Sequence, residues 1–140
     1  MKRQRTKWRT IGVAAAMACA YALGAQAADV SLTLSGGQEV PPVNTTARGS
    51  GTLKVNDDGT VSGSVNTTGI QATAAHIHSG AMGKNGPVLI PLTKGSDGNW
   101  AVPANAKLTP DQLKMFKSGE LYVNVHSAAH PDGEIRAQLK

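Results

Sequence analysis

Residues 52–65 read TLKVNDDGTVSGSV, and this stretch decides the class of fold. Apolar side chains recur at every second position on both sides of NDDG at 56–59, the alternation expected of strands with one buried face. Asn, Asp and Gly tolerate the positive φ that a tight turn requires. The stretch therefore predicts two neighbouring antiparallel strands joined by a hairpin turn.

Short strands of the same kind recur along the chain, separated by Gly, Pro, Asn and Asp. They are predicted at 30–34, 72–78, 88–92, 99–102, 121–126 and 133–139. Residues 36–43 carry paired prolines, which cannot donate to a strand ladder, so this segment is predicted to cross the surface as ordered non-strand backbone. The pattern predicts an all-β protein, an antiparallel Greek-key β-sandwich or barrel that is superoxide-dismutase-like or immunoglobulin-like in outline.

A single short helix is predicted after residue 109. Thr109 is a capping residue, and Pro110 suits the first turn. Gln112 completes a capping box with Thr109, and Gly119 ends the helix after roughly two turns.

The N-terminal segment has the layout of a secretory signal peptide. Basic residues at 2–9 precede an apolar stretch at 11–23, which is shorter than the roughly 20 residues that span a bilayer. Small residues at Ala25 and Ala27 favour cleavage after Ala27. We expect a mature domain at 28–140 that is periplasmic or secreted and has no stable membrane anchor. The one cysteine, Cys19, lies inside the predicted signal.

Removal of the signal changes the charge balance of the protein. Five of the 14 Lys and Arg residues lie in residues 1–27, whereas all nine Asp and Glu residues follow them. The mature domain is therefore neutral, and the basic character of the whole chain gives no support for binding nucleic acid.

All four histidines fall in two short segments, HIH at 76–78 and HSAAH at 126–130. Side chains alternate along a strand, so His76 and His78 lie on one face with Cα atoms about 6.6 Å apart. Two imidazoles in this arrangement can reach one metal ion. A hydrogen-bonded pair at a sheet edge is the simpler alternative.

His126 and His130 are the candidates for further ligands, and His130 is the weaker because it lies in a turn. His126 could equally be a buried, hydrogen-bonded histidine. Imidazole donors suit copper first and zinc second. Met82 could help to hold Cu(I) or simply pack over the sheet. Glu39 and Arg136 are candidates for an ion pair or for contacts that orient a histidine.

Four segments resemble one known family, the CHRD (chordin-type) domain. They are LSGGQEVPP at 34–42, AHIH at 75–78, YVNVH at 122–126 and GEIR at 133–136, and together they span nearly the whole predicted mature chain. Ala137 departs from the glycine more usual after the arginine. The resemblance implies an extracellular or periplasmic β-sandwich module and implies no settled activity.

Three functions are compatible with these residues. The first is an exported metal-binding protein, with copper favoured over zinc, that acts in metal binding, delivery or tolerance, alone or with another exported protein as partner. The second is a metal-free interaction or adhesion module. The third is a copper enzyme similar to superoxide dismutase. The pattern favours a non-enzymatic role, because the long metal-binding loop, the disulfide pair and a guiding arginine expected of that enzyme are missing.

Overall fold

The computed structural model describes residues 27–140, and residues 1–26, with most of the predicted signal peptide and Cys19, lie outside the described part. The described residues form one antiparallel sheet that curls into a nearly closed barrel, about 50% strand and 10% helix. The prediction of an all-β sandwich or barrel with one short helix is confirmed. Nine strands build the sheet: β1 (Ala27–Ser35), β2 (Arg48–Asn56), β3 (Val61–Thr68), β4 (Ala72–Ser79), β5 (Val88–Pro91), β6 (Thr93–Lys94), β7 (Asn99–Ala101), β8 (Leu121–Ser127) and β9 (Ile135–Leu139).

The hairpin predicted at 52–65 is present as β2 and β3, with Val55 opposite Val61 across the turn. The prediction gave eight strands, and the short strand β6 is the addition. The strand order is β5-β4-β8-β9-β1-β2-β3-β7-β6, so the chain leaves β3 and crosses to the far end of the sheet to form β4. This crossing places β4 beside β8, and these two strands carry three of the four histidines.

The helix α1 (Pro110–Lys117) begins and ends as predicted. The Thr109 side chain accepts from the Gln112 backbone N–H, and the Gln112 side chain accepts from the Thr109 backbone N–H, which completes the capping box. Gly119 follows with φ of 72°, the left-handed conformation that ends many helices. Within residues 27–140, no helix combines the length and the apolar character needed to cross a membrane.

Strands β8 and β9 are buried on both faces, and this feature positions the candidate site. One face holds Leu121, Val123, Val125, Ile135 and other apolar side chains of the barrel core. The opposite face carries Tyr122, Asn124, Arg136 and Gln138, which are polar and nevertheless buried. We call it the polar face, defined by His76 and His78 of β4, Tyr122, Asn124 and His126 of β8, and Arg136 and Gln138 of β9.

Two loops cover the polar face. Residues 36–43 form a short 3-10 turn at Gly36–Gln38 and then run without strand structure, as the prolines predict. Residues 80–87 connect β4 to β5. The loops are joined to each other where the Asn85 amide donates to the Val40 carbonyl over 2.8 Å.

Candidate metal centre

Cross-strand pairing brings three of the four histidines together. His76 and His78 lie on β4, and pairing with β8 places His76 opposite Asn124 and His78 opposite Tyr122. His126 lies two residues beyond Asn124 on β8 and therefore projects from the same face. One ring nitrogen from each of His76, His78 and His126 lies within 4.8 Å of the others.

The ring of His78 is fixed by its surroundings. Its Nδ1 lies 3.0 Å from the Gly86 carbonyl oxygen, and because a carbonyl only accepts, Nδ1 carries the proton. The ring stacks on Tyr122 with centroids 4.8 Å apart and planes at 1°. In the neutral ring Nε2 then offers a lone pair, and this atom is buried with no hydrogen-bond partner among the described residues.

His126 is oriented in the same way. Its Nδ1 donates to the Pro131 carbonyl oxygen over 2.9 Å, which leaves Nε2 as the acceptor of the neutral ring. Nδ1 of His76 lies 3.0 Å from that Nε2 and donates to it. A metal ion could bind between the two rings if the His76 proton moved from Nδ1 to Nε2, because the nitrogens of His76 and His126 already lie side by side. Two nitrogens on one ion are at most about 4.2 Å apart, so small rotations would bring all three atoms onto it.

The site disfavours extra positive charge on its imidazoles. Burial lowers the pKa of His76 below its usual value, and the neighbouring His126 and His78 rings lower it further. Burial also lowers the pKa of His78, against the opposing effect of the Gly86 carbonyl. Both rings therefore stay neutral, the form that binds metal, to lower pH than a free imidazole would.

The structure places the other predicted site residues along two cavities that both border Glu39. His130 lies outside the three-histidine group, in the turn after β8, where it lines a cavity of about 480 Å³ together with Glu39 and Asp132. Met82 is 61% exposed in the loop after β4. It lines a second cavity of about 420 Å³ that also borders Glu39 and Arg136.

Arg136 is only 1% exposed and serves as a clamp for the loop after β4. It donates to the Lys84 carbonyl at 2.7 Å and to the Asn85 side-chain oxygen at 3.1 Å. Its guanidinium carbon lies 3.5 Å from the centroid of the Tyr122 ring, the ring on which His78 stacks. The same loop supplies the Gly86 carbonyl that orients His78, so Arg136 supports that imidazole ring through the loop and through Tyr122.

Gly86 and Gly133 allow the close approaches on which this arrangement depends. A Cβ at Gly86 would overlap the Ser79 carbonyl oxygen, so no other residue fits here without movement of the backbone. Gly133 has φ of 124°, and a Cβ there would lie 2.5 Å from the Asn124 amide nitrogen and 2.6 Å from a Glu39 carboxylate oxygen. The two glycines let the covering loop and the turn after β8 pack directly on the polar face.

Sequence reasoning missed the residues that fix the rings in place. Tyr122 shares the period of two with His126, and that alternation was the available signal. The sequence could not indicate that the backbone carbonyls of Gly86 and Pro131 accept from histidine rings, because every residue type carries a backbone carbonyl.

Glu39 is 4% exposed, and one of its carboxylate oxygens is buried without a hydrogen-bond partner among the described residues. Burial raises its pKa from 4.5 to about 7, against the opposing charge of Arg136. The folded protein therefore holds a proton between pH 4.5 and 7 that the unfolded chain has released. Stability should fall as the pH rises across this window.

The variant Glu39→Gln tests this prediction, because it keeps the shape of the side chain and removes the charge. We expect its free energy of unfolding to exceed that of the wild type by more at pH 8 than at pH 5. Urea unfolding at the two pH values measures the difference. A difference that stays constant with pH would contradict the assignment of this proton to Glu39.

Comparison with known proteins identifies the family. The CHRD domain family matches residues 30–139. No curated protein and no solved structure matched the chain. The match covers well over half of the 140 residues and includes all of the predicted site residues. The chain belongs to the CHRD domain family.

Proposed function

We propose that this protein is an exported CHRD-domain protein that binds a transition-metal ion through His76, His78 and His126. Copper is the preferred metal and zinc the second, because imidazole donors suit both and the usual divalent order places copper first. The role that fits such a site is metal binding, delivery or tolerance outside the cytoplasm.

One observation carries the proposal: Nε2 of His78 is buried, lacks a hydrogen-bond partner within residues 27–140, and faces two further imidazoles. A buried polar atom without a hydrogen-bond partner destabilises the folded protein by roughly 1–3 kcal/mol. Such atoms are rare in native structures, and each one requires an explanation. A metal ion bound by the lone pair of Nε2 would supply the missing interaction.

A second observation supports the proposal. His78 and His126 each donate from Nδ1 to a backbone carbonyl, of Gly86 and Pro131 respectively. This arrangement is common for metal-ligating histidines, since it fixes the tautomer and the orientation of the ring. Two of the three candidate ligands therefore present a lone pair on Nε2 before any ion binds.

The test is titration of purified, metal-free protein with Cu(II) and with Zn(II), compared with the triple variant His76→Ala, His78→Ala, His126→Ala. We expect the wild type to bind one equivalent of copper and the triple variant to lose this binding. Metal should also raise the unfolding midpoint of the wild type alone. Affinity should fall as the pH drops from the usual imidazole value of about 6.5 toward the lowered pKa values of His76 and His78, because protons then compete for the imidazoles.

The result that would overturn the proposal is equal copper binding by the two proteins, or binding of none of Cu(I), Cu(II) and Zn(II) by the wild type at micromolar metal. A metal-free interaction module would then be the better account of the domain. The fold of the triple variant is checked by circular dichroism, since His78 is buried.

A further inference from the structure

In the described part of the chain, the three-histidine cluster contains no acidic side chain. All three candidate ligands are neutral imidazoles, and among residues 27–140 no Asp or Glu belongs to the group. An ion bound here would keep its full formal charge, because no ligand neutralises it. Zinc or Cu(II) would carry two uncompensated positive charges, and Cu(I) would carry one.

The buried guanidinium of Arg136 is separated from the cluster only by the Tyr122 ring. The Arg136 guanidinium packs on Tyr122, whose ring stacks on His78. The guanidinium donates to neutral oxygens, the Lys84 and Ala81 carbonyls and the side-chain amide oxygens of Asn85 and Gln138. None of these acceptors is a carboxylate, so its positive charge is not cancelled by its hydrogen-bond partners.

Glu39 is the carboxylate that interacts electrostatically with Arg136, and it neutralises the positive charge of Arg136 only in part. The buried Glu39 side chain is driven toward its neutral form, and near neutral pH it carries only part of a negative charge. The positive charge of Arg136 therefore persists on the polar face, and it also acts on His78.

We propose that the three-histidine site takes monovalent copper, Cu(I), in preference to Zn(II) and Cu(II). This inference rests on the proposed function and specifies which metal ion the three histidines bind. Repulsion from Arg136 doubles with the charge of the ion, and the cost of removing an ion from water rises with the square of its charge. Both effects disfavour a divalent ion in a partly buried site without a carboxylate ligand.

The affinities for Cu(I) and Zn(II) can be compared directly, because both ions have a filled d shell. Neither ion draws a geometric preference from its d electrons, and imidazole is a ligand for both metals. Charge is the difference between the two ions on which Arg136 acts. Met82, whose thioether would also favour Cu(I), lies in the exposed loop after β4 and is not needed for the argument.

The first arm of the test measures the affinity of the wild-type protein for Cu(I), Zn(II) and Cu(II). Cu(I) is kept reduced under anaerobic conditions, and each ion is competed against a chromophoric chelator. We expect Cu(I) to bind more tightly than either divalent ion. Tighter binding of Zn(II) or Cu(II) through the histidines would overturn the inference and leave the proposed function intact. Binding of none of the three ions would overturn both.

The second arm adds one negative charge to the polar face. Asn124 lies opposite both His76 and Arg136 in the sheet, and Asn124→Asp changes its charge without changing its shape. A divalent ion gains twice the attraction that a monovalent ion gains. The preference for Cu(I) over Zn(II) should therefore fall by at least about tenfold. A tenfold shift between Cu(I) and Cu(II) corresponds to about 59 mV in midpoint potential.

Asn105→Asp is the matched control, since it makes the same change in the exposed loop between β7 and α1. We expect it to leave the preference unchanged. Equal shifts in both variants, or no shift in a folded Asn124→Asp protein, would contradict the electrostatic origin of the preference. If Asn124→Asp does not fold, the ranking of the three ions on the wild type decides the proposal.

Discussion

The variant Arg136→Leu is expected to destabilise the protein by about 3 kcal/mol, because the leucine leaves buried hydrogen-bond acceptors without donors. The carbonyl of Lys84 and the side-chain oxygen of Asn85 lose their partner, and the loop after β4 loses its attachment to β9. Leucine fills part of the space but cannot donate a hydrogen bond. Urea unfolding, followed by the far-ultraviolet signal of the barrel, measures the change.

Arg48→Leu is the matched control for this experiment. It removes the same charge and adds the same side chain, but Arg48 is exposed, and its guanidinium donates to the Thr45 and Ala47 carbonyls near the surface. We expect a change within about 0.5 kcal/mol. Equal losses in the two variants would show that Arg136 acts as an ordinary surface charge, against the clamp described above.

Single substitutions of the three clustered histidines form the second prediction with a large expected effect. His76→Ala, His78→Ala and His126→Ala should each weaken copper binding by at least about 100-fold. Loss of an orienting partner alone typically costs 10- to 100-fold, and loss of a ligand should cost no less. Competition with a chromophoric chelator measures each dissociation constant.

His130→Ala and Met82→Ala are the controls for this series. His130 lies outside the cluster, and the Met82 side chain is mostly exposed, so each variant should lose less than about tenfold in affinity. A loss at His130 as large as that at His126 would make His130 a fourth ligand. It would require the turn after β8 to close over the ion.

The strands of the barrel could be predicted because each is encoded by the alternation and the turn residues of its own short segment. The hairpin at 52–65 combines strict alternation with a turn of the right chemistry, and the structure places β2 and β3 there. The helix was predictable for the same reason, since Thr109, Gln112 and Gly119 act on their immediate neighbours. Strand β6 was missed because two exposed residues, Thr93 and Lys94, show no alternation.

The pairing of strands β4 and β8 brings His126 close to His76 and His78, and the sequence could not show this pairing. The spacing of His76 and His78 placed both on one face, but His126 follows His78 by 48 positions in the chain. Only the pairing of β4 with β8 puts them together. The burial of the polar face was also invisible, because alternating polar residues predict a face open to water. Here two loops cover that face.

The alternation of residues along strand β8 makes the barrel core and the candidate site depend on the same strand register. The odd-numbered residues of β8, such as Val123, fill the barrel core, and its even-numbered residues, such as His126, form the candidate site. A slip of β8 by one residue would turn the histidine inward and the valines outward. A misaligned sheet would therefore lose its hydrophobic interior and its cluster of ring nitrogens together. Copper binding by the three histidines would then report on correct strand alignment as well as on the site.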